Sequence, residues 1–414
     1  MPPIWPTCSP TSPTRLELVT VHLVSNRFPC PLTANPGPSD AQGKKALSPG
    51  PHRPRNRGPL SAAVLGALRR SPGSLGQTPP ELPLDALSDD DLHLALYLCY
   101  ELHYRGLAGA DPDWEWDPAL LSFRAQLEGA FLERLVDEVG PTRSVEPGDV
   151  PGALNDLIAN AVGPSLSAFL LESGKLAQVQ ELCVHRSAYQ LKEADPHTFA
   201  IPRLFGEAKA AMVEIQDDEY GSGVATEMHS ALFAATMNSL GLNPSYGAYL
   251  DQLPGVTLAT VNLVSMFGLH RRWRAALVGH LAVFELTSVE PMARYSQTLA
   301  RLGIGAEGRR FYDVHVVADA RHGAIALDRM VTGLIEVEPH LGADLLFGAA
   351  AVLMLEERMT GHLLGAWAQG RSSLIGPDAD LAGREPMQVR AAGVAPLARL
   401  PLARGPRGLV TGSP

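Results

Sequence analysis

The chain has 414 residues and a formal net charge of −10, long enough for two domains or for one large domain with appendages. The charge is uneven: residues 1–78 carry +7 and residues 79–414 carry −17. The acidic body argues against nucleic acid as a partner, and four cysteines without a C-x-x-C pair (Cys8, Cys30, Cys99, Cys183) argue against a disulfide frame or a thiolate zinc site.

In chain order, residues 1–78 hold 13 prolines within their first 60 positions. Proline interrupts both helix and sheet ladders, so this stretch reads as a disordered extension, with Leu16–Val24 its one candidate strand. Order is expected from about residue 79. Ser88 precedes Asp89, Asp90 and Asp91, an N-cap with acids in the first turn, and the helix should run on through Tyr104. Pro118 opens a second helix whose Leu120, Phe123, Leu127, Phe131 and Leu135 recur at three and four. A third is expected over Ala153–Ser173. These helices form an N-terminal helical subdomain, 79–176.

Residues 177–375 form the expected core. Helical patterns cover 177–193, 203–220, 224–240, 244–252, 256–269, 272–287, 290–302, 308–336 and 341–368, broken by Gly/Pro/Asn punctuation. No strand pattern competes, so the fold class is all-α. Residues 376–414 read as a flexible tail. The longest apolar run, Leu345–Leu355, falls short of a membrane span. No secretory leader is evident, and the expected location is the cytoplasm.

The chemistry gathers in Asp313–His322. His315, Asp319 and His322, at offsets of four and seven, share one helix stripe among apolar neighbours. Two imidazoles and a carboxylate suit a redox-active iron, although a solvated helix face is the ordinary reading of such a pair. Glu285 stands alone among Leu281, Ala282, Val283, Phe284 and Leu286, where a bare carboxylate is costly to bury. Glu219 and His229 are further candidates. A straight helix would hold them about 15 Å apart, so Gly221 and Gly223 are expected to break it. Glu214 and Glu227 stand as substitutes for Glu219. Three carboxylates and three imidazoles would suit two iron ions with positions left for oxygen and substrate.

This arrangement resembles the haem-oxygenase-like diiron oxidases and oxygenases, and looks closest to the actinobacterial iron-containing redox enzymes. The phrases that carry the resemblance are His185–His197, Ile201-Pro-Arg-Leu, Val213–Gly221, Phe267–Arg272 and Val278–Ala282, within roughly residues 80–375. The family's pattern maps onto Glu219, His229, Glu285, His315, Asp319 and His322. The resemblance implies a haem-oxygenase-like helical bundle, two non-haem iron ions, O2 as co-substrate, and oxidation of a small amino-acid-like or fatty-acid-like molecule. It also implies an electron donor and leaves room for a homodimer. Haem oxygenases proper use one proximal His and no carboxylate cluster. The thiaminase-like branch needs a Cys that residues 184–414 lack, and no Glu-x-x-His pair of the ferritin-like type occurs.

Several residues take lesser roles in this reading. Glu193 could add a ligand, although a solvated position at a helix C-terminus is its default. Tyr220, Phe284, Phe311 and Tyr312 flank the ligands and could shape a pocket, or simply pack. Asp313 and Arg321 could orient ligands. Glu101 and His103 read as structural, His270 with Arg271 and Arg272 as a surface cluster, and His280 as a buried histidine with a polar partner. Two competing functions remain: a haem-binding or haem-degrading protein with His229 as axial ligand, and a non-catalytic helical interaction protein.

Overall fold

The computed structural model describes residues 50–73, 75, 81–140, 145–161 and 163–376. Its helices are α1 (Pro59–Ala67), α2 (Asp90–Glu101), α3 (Pro118–Val139), α4 (Val150–Asn160), α5 (Leu166–Ser173), α6 (Leu176–Gln190), α7 (Asp195–Thr198), α8 (Gly206–Glu219), α9 (His229–Ser239), α10 (Gly255–Leu269), α11 (Arg274–Thr287), α12 (Val289–Arg301), α13 (Ala306–Ala324), α14 (Thr332–Val337) and α15 (Gly342–Ala368). A π-helical stretch, Ile325–Val331, joins α13 to α14. No strand occurs among the described residues, as an all-α reading requires.

The expected disorder through residue 78 does not hold for residues 50–73. Pro59 occupies the first turn of α1, where a missing N–H costs nothing, and Leu60, Val64, Leu65 and Ala67 are buried. The Asp91 carboxylate accepts from Leu60 N (2.7 Å) and Ser61 N (2.8 Å), capping α1 from the neighbouring helix. Sequence composition could not show a cap that lies in another segment. Residues 1–49 and the tail beyond 376 lie outside the described residues.

Two further boundaries shift for local reasons. The N-cap of α2 is Asp89, whose side chain accepts from Asp91 N and Leu92 N. Ser88 turns instead to Asp85. The single helix expected over Ala153–Ser173 is two, α4 and α5, separated around Pro164, with Ser165 capping α5 through Ala168 N.

The boundary expected at residue 176 is not a break in the core. One apolar cluster joins Leu92–Leu102 and Phe123–Leu135 to Leu258–Val283 and Leu345–Leu355. At its centre α11 packs against α15, where Gly279 and Gly348 face the partner backbones. A Cβ on Gly279 would lie 2.1 Å from Leu345 O, and one on Gly348 would lie 2.1 Å from Ala276 O. This close approach fixes the rotation of α11 and with it the direction of Glu285. A second cluster, including Leu182, Phe233, Leu299, Phe311, Tyr312 and Leu363, packs α6, α9, α12 and α13 around the end of α15.

The segment Pro339–Ala368 is, by length and composition, apolar enough to cross a membrane, contrary to the expectation from its longest uninterrupted apolar run. In the bundle 56% of that apolar window is buried, the setting of a central helix in a helical core.

Candidate metal centre

Glu219 is the last residue of α8. The chain then turns through Gly221 (φ +62°), Ser222 (φ +48°) and Gly223 (φ +81°), a left-handed run that ends the helix as its glycines predict. The next helix starts at His229 itself rather than at 224. The turn brings His229 Nδ1 to 2.8 Å from Glu219 Oε2.

Helix α13 delivers His315, Asp319 and His322, all buried. His315 Nδ1 lies 2.7 Å from Phe311 O. A carbonyl only accepts, so Nδ1 carries the proton and Nε2 offers a lone pair. That Nε2 is 3.9 Å from Glu193 Oε2, and the rings of His229 and His315 are 4.2 Å apart. His322 Nε2 lies 2.8 Å from Asp218 Oδ2, and Asp218 also pairs with Arg321. The other ring nitrogen, Nδ1, lies 3.3 Å from Glu285 Oε2 on α11 and 3.7 Å from Asp319 Oδ1. Asp319 Oδ2 accepts from Ser288 Oγ at 2.5 Å.

Two groups of ligand atoms result, each within 4.8 Å: Glu193, Glu219, His229 and His315, and Glu219, Glu285 and His322. Glu219 belongs to both. Asp319 stands beside the second group, held by Ser288. Glu193 corrects the expectation of a solvated residue. It lies in the turn after α6 with its side chain 10% exposed and directed into the first group.

The donor set fits a metal ion. Glu193 Oε2, Glu219 Oε2, His229 Nδ1 and His322 Nδ1 are buried without a hydrogen-bond partner. The 2.8 Å approach of His229 to Glu219 misses hydrogen-bond geometry. Orphaned buried polar atoms each cost about 1–3 kcal/mol, so four of them facing one another need a shared cation or shared protons. The charge balance agrees. Burial, then Glu219, Asp319 and Glu285, push the Glu193 carboxyl well above the ordinary range. Burial, opposed by His322 but joined by Asp319 and Glu219, raises Glu285 to about 7. Burial would also raise Glu219, but His229, His315 and His322 outweigh it and hold it at about 2. Burial disfavours charge on His322, yet Asp319, Glu285 and Asp218 raise it to about 11. So many carboxyls cannot all ionise together unless positive charge lies among them.

A cavity of about 280 Å³ opens beside the cluster and is walled by Arg186, Tyr189, Phe284, Tyr295, Tyr312 and Glu356, among others. Phe284 and Tyr312 line it. Tyr220 and Phe311 do not. Tyr220 OH donates to Asp195 (2.9 Å), and Phe311 packs on the His315 ring at 4.4 Å between centroids. Asp313 is exposed and bonded to Ser296, away from the ligands. Arg321 acts at one remove, through Asp218. Sequence reading missed Asp218, although it adjoins Glu219, and missed Ser288 and the Arg186–Glu356 pair. His280 does have its buried partner: its Nδ1 is 3.1 Å from His197 Nε2.

Nitrosourea synthase of Streptomyces achromogenes subsp. streptozoticus is 26% identical over 146 residues, which is 35% of this chain and 31% of that protein. The match therefore spans about a third of the relative's length. The family model described as iron-containing redox enzyme matches residues 180–357. That stretch holds every residue of the cluster; over it the chain is similar to the iron-containing redox enzymes, and its all-α architecture is consistent with a haem-oxygenase-like fold.

Proposed function

We propose that the chain oxidises a small organic molecule with O2 at a pair of non-haem iron ions. The observation that carries this reading is the position of Glu219, whose carboxylate belongs to both groups of buried ligand atoms. Glu193, Glu219, His229 and His315 would hold one ion, and Glu219, Glu285 and His322, with Asp319 adjacent, the other. Bound iron in a mixed imidazole and carboxylate set supplies redox chemistry and a seat for O2.

The protein's own groups supply order and dryness. Phe311 O fixes the His315 tautomer, Asp218 fixes the His322 ring, and Ser288 fixes the Asp319 carboxylate. Tyr189, Phe284 and Tyr295 wall the cavity and keep bulk water from a substrate lying against the cluster. The electrons beyond those taken from the substrate would come from an external donor. A haem ligated by His229 is less well supported, because its Nδ1 faces the Glu219 carboxylate.

Anaerobic loading with Fe(II), followed by metal analysis and absorption spectra, tests the reading. The expected result is two irons per chain, no Soret band, and O2 uptake by the loaded protein. Glu219→Ala should lose most of both irons, and Glu285→Ala chiefly one. Iron content and stability unchanged in both variants would overturn it.

A further inference from the structure

The tyrosines around the cluster differ in what their hydroxyls meet. Tyr189, Tyr295 and Tyr312 line the cavity. Tyr312 faces the Cys183 thiol at 3.8 Å, and neither Tyr189 nor Tyr295 is hydrogen-bonded to a carboxylate. Tyr220 stands outside the cavity wall, next in sequence to Glu219. Its hydroxyl donates to Asp195 Oδ1 at 2.9 Å, and Thr198 Oγ1 lies 2.8 Å from the same oxygen. The Asp195 side chain is 31% exposed and stands 4.0 Å from Arg105. The phenol therefore rests on a carboxylate that reaches solvent.

Two features of the chain put this pair against the metal ligands. Glu219 is the carboxylate common to both ligand groups, and the Cα of Tyr220 follows its own at about 3.8 Å. Asp195 stands two residues after Glu193, and between them Ala194 takes φ +76°, a strained conformation for a residue with a Cβ. That turn sends the Glu193 carboxylate into the first group and the Asp195 carboxylate out to Tyr220. Oxidising a phenol at neutral pH removes a proton with the electron, because the phenol radical cation is a strong acid. A tyrosine whose proton already has an acceptor gives up its electron most readily. By that measure Tyr220 is the tyrosine beside the cluster best arranged to be oxidised, ahead of the three in the cavity wall.

We propose that Tyr220 is a discharge residue, which gives one electron to the iron centre when O2 has reacted there without substrate and so spares the cavity wall. This goes beyond the proposed function and rests on its iron. The Tyr220 O–H bond breaks; the electron goes to the oxidised centre and the proton to Asp195 Oδ1, leaving a neutral tyrosyl radical. A one-electron reductant from solvent, of the thiolate or ascorbate class, returns the electron, and Asp195 returns the proton. Without Tyr220 the same oxidising equivalent falls on Tyr189, Phe284, Tyr295 or Tyr312 in the wall.

The test loads the full chain with Fe(II) anaerobically, admits O2 once with neither substrate nor reductant present, and freezes samples for electron paramagnetic resonance. The parent should show a radical whose spectrum narrows when its tyrosines are ring-deuterated. Tyr220→Phe should lose most of that signal, keep its iron, and carry several-fold more added oxygen on the cavity residues by peptide mass spectrometry. Asp195→Asn keeps a partner for the phenol but not one that takes its proton, and its signal should be several-fold below the parent's. If Tyr220→Phe loses iron, Asp195→Asn carries the comparison. A parent that holds two irons and consumes O2 without forming a tyrosyl radical would overturn the inference and leave the iron reading standing. So would a signal of parental size in either iron-loaded variant, or equal oxidation of the cavity wall in Tyr220→Phe and the parent. A parent that binds no iron would remove both readings, and iron content measured in parallel tells the two failures apart.

Discussion

Glu219 Oε2 and His229 Nδ1 lie 2.8 Å apart although they belong to different helices, because the chain between them reverses through three left-handed residues. The centre therefore depends on a turn as much as on its ligands.

Gly221→Ala should test that dependence. At φ +62° a Cβ would come 2.6 Å from Glu227 C and Met228 N, a backbone clash added to left-handed strain of about 1–3 kcal/mol. The expected result is a thermal midpoint several degrees lower together with weakened iron binding. Gly223→Ala, at φ +81° but with nothing within 4 Å of its Cβ, should carry only the left-handed strain of about 1–3 kcal/mol without the clash, and leave iron binding nearly intact. Equal iron affinity in both variants would refute the role given to the turn.

Asp218 should matter to the metal without touching it. It fixes the His322 ring through Nε2 at 2.8 Å, and removing such a partner lowers metal affinity by about 10–100-fold. Asp218→Ala should show that loss in a chelator-competition titration. Asp313→Ala, which removes an exposed carboxylate bonded to Ser296, should not. Matching affinities for the two would count against the arrangement.

The Lys192–Glu101 pair should be expensive to break. Both side chains are almost wholly buried, 3.3 Å apart, and Lys192 also lies over the Tyr97 and Tyr104 rings. Burial lowers the Lys192 pKa, and Glu101 opposes the shift. Lys192→Met strands the Glu101 charge and should cost about 3–5 kcal/mol in urea unfolding. Lys192→Met/Glu101→Leu should recover most of that loss. A single variant as stable as the parent would show that the pair contributes little.

Acid should destabilise the fold partly through buried neutral histidines. Burial is the largest cause in each case, lowering His93 to about 4 and His185 to about 3. Unfolded, both titrate near about 6.5. Between these values the unfolded chain binds more protons, so stability rises with pH across the window. The contribution is complete above about pH 6.5 and falls as pH drops toward 4, by roughly 3 kcal/mol for His93 alone. Urea midpoints at about pH 7.5 and pH 5 should differ less for a folded His93→Gln than for the parent. An unchanged difference would contradict the assignment.

The helices were largely legible because their apolar positions recur at a local period: α10 is bounded within a residue, and the His315, Asp319 and His322 stripe is indeed buried. The glycines of Gly221–Gly223 announced their turn for the same reason, since φ freedom is a property of the residue itself. Glu193 was misjudged. Its position just after a helix end says solvent, and only the packing of α6 beside α13 turns its carboxylate toward His315. The Pro-rich approach to α1 was misjudged likewise, because its cap, Asp91, belongs to another helix.

Candidate ligands, helix stripes and chain breaks were thus written in residue type and spacing. Tertiary structure alone decided that Glu219 sits between two groups, that Asp218 holds His322 and Ser288 holds Asp319, and that Arg186 meets Glu356 beside a cavity. The physical reason is that periodicity reports which side of an element faces inward, whereas partners across the core are chosen by the rotation and closeness of whole helices. Here those were set in part where Gly279 and Gly348 let α11 and α15 touch.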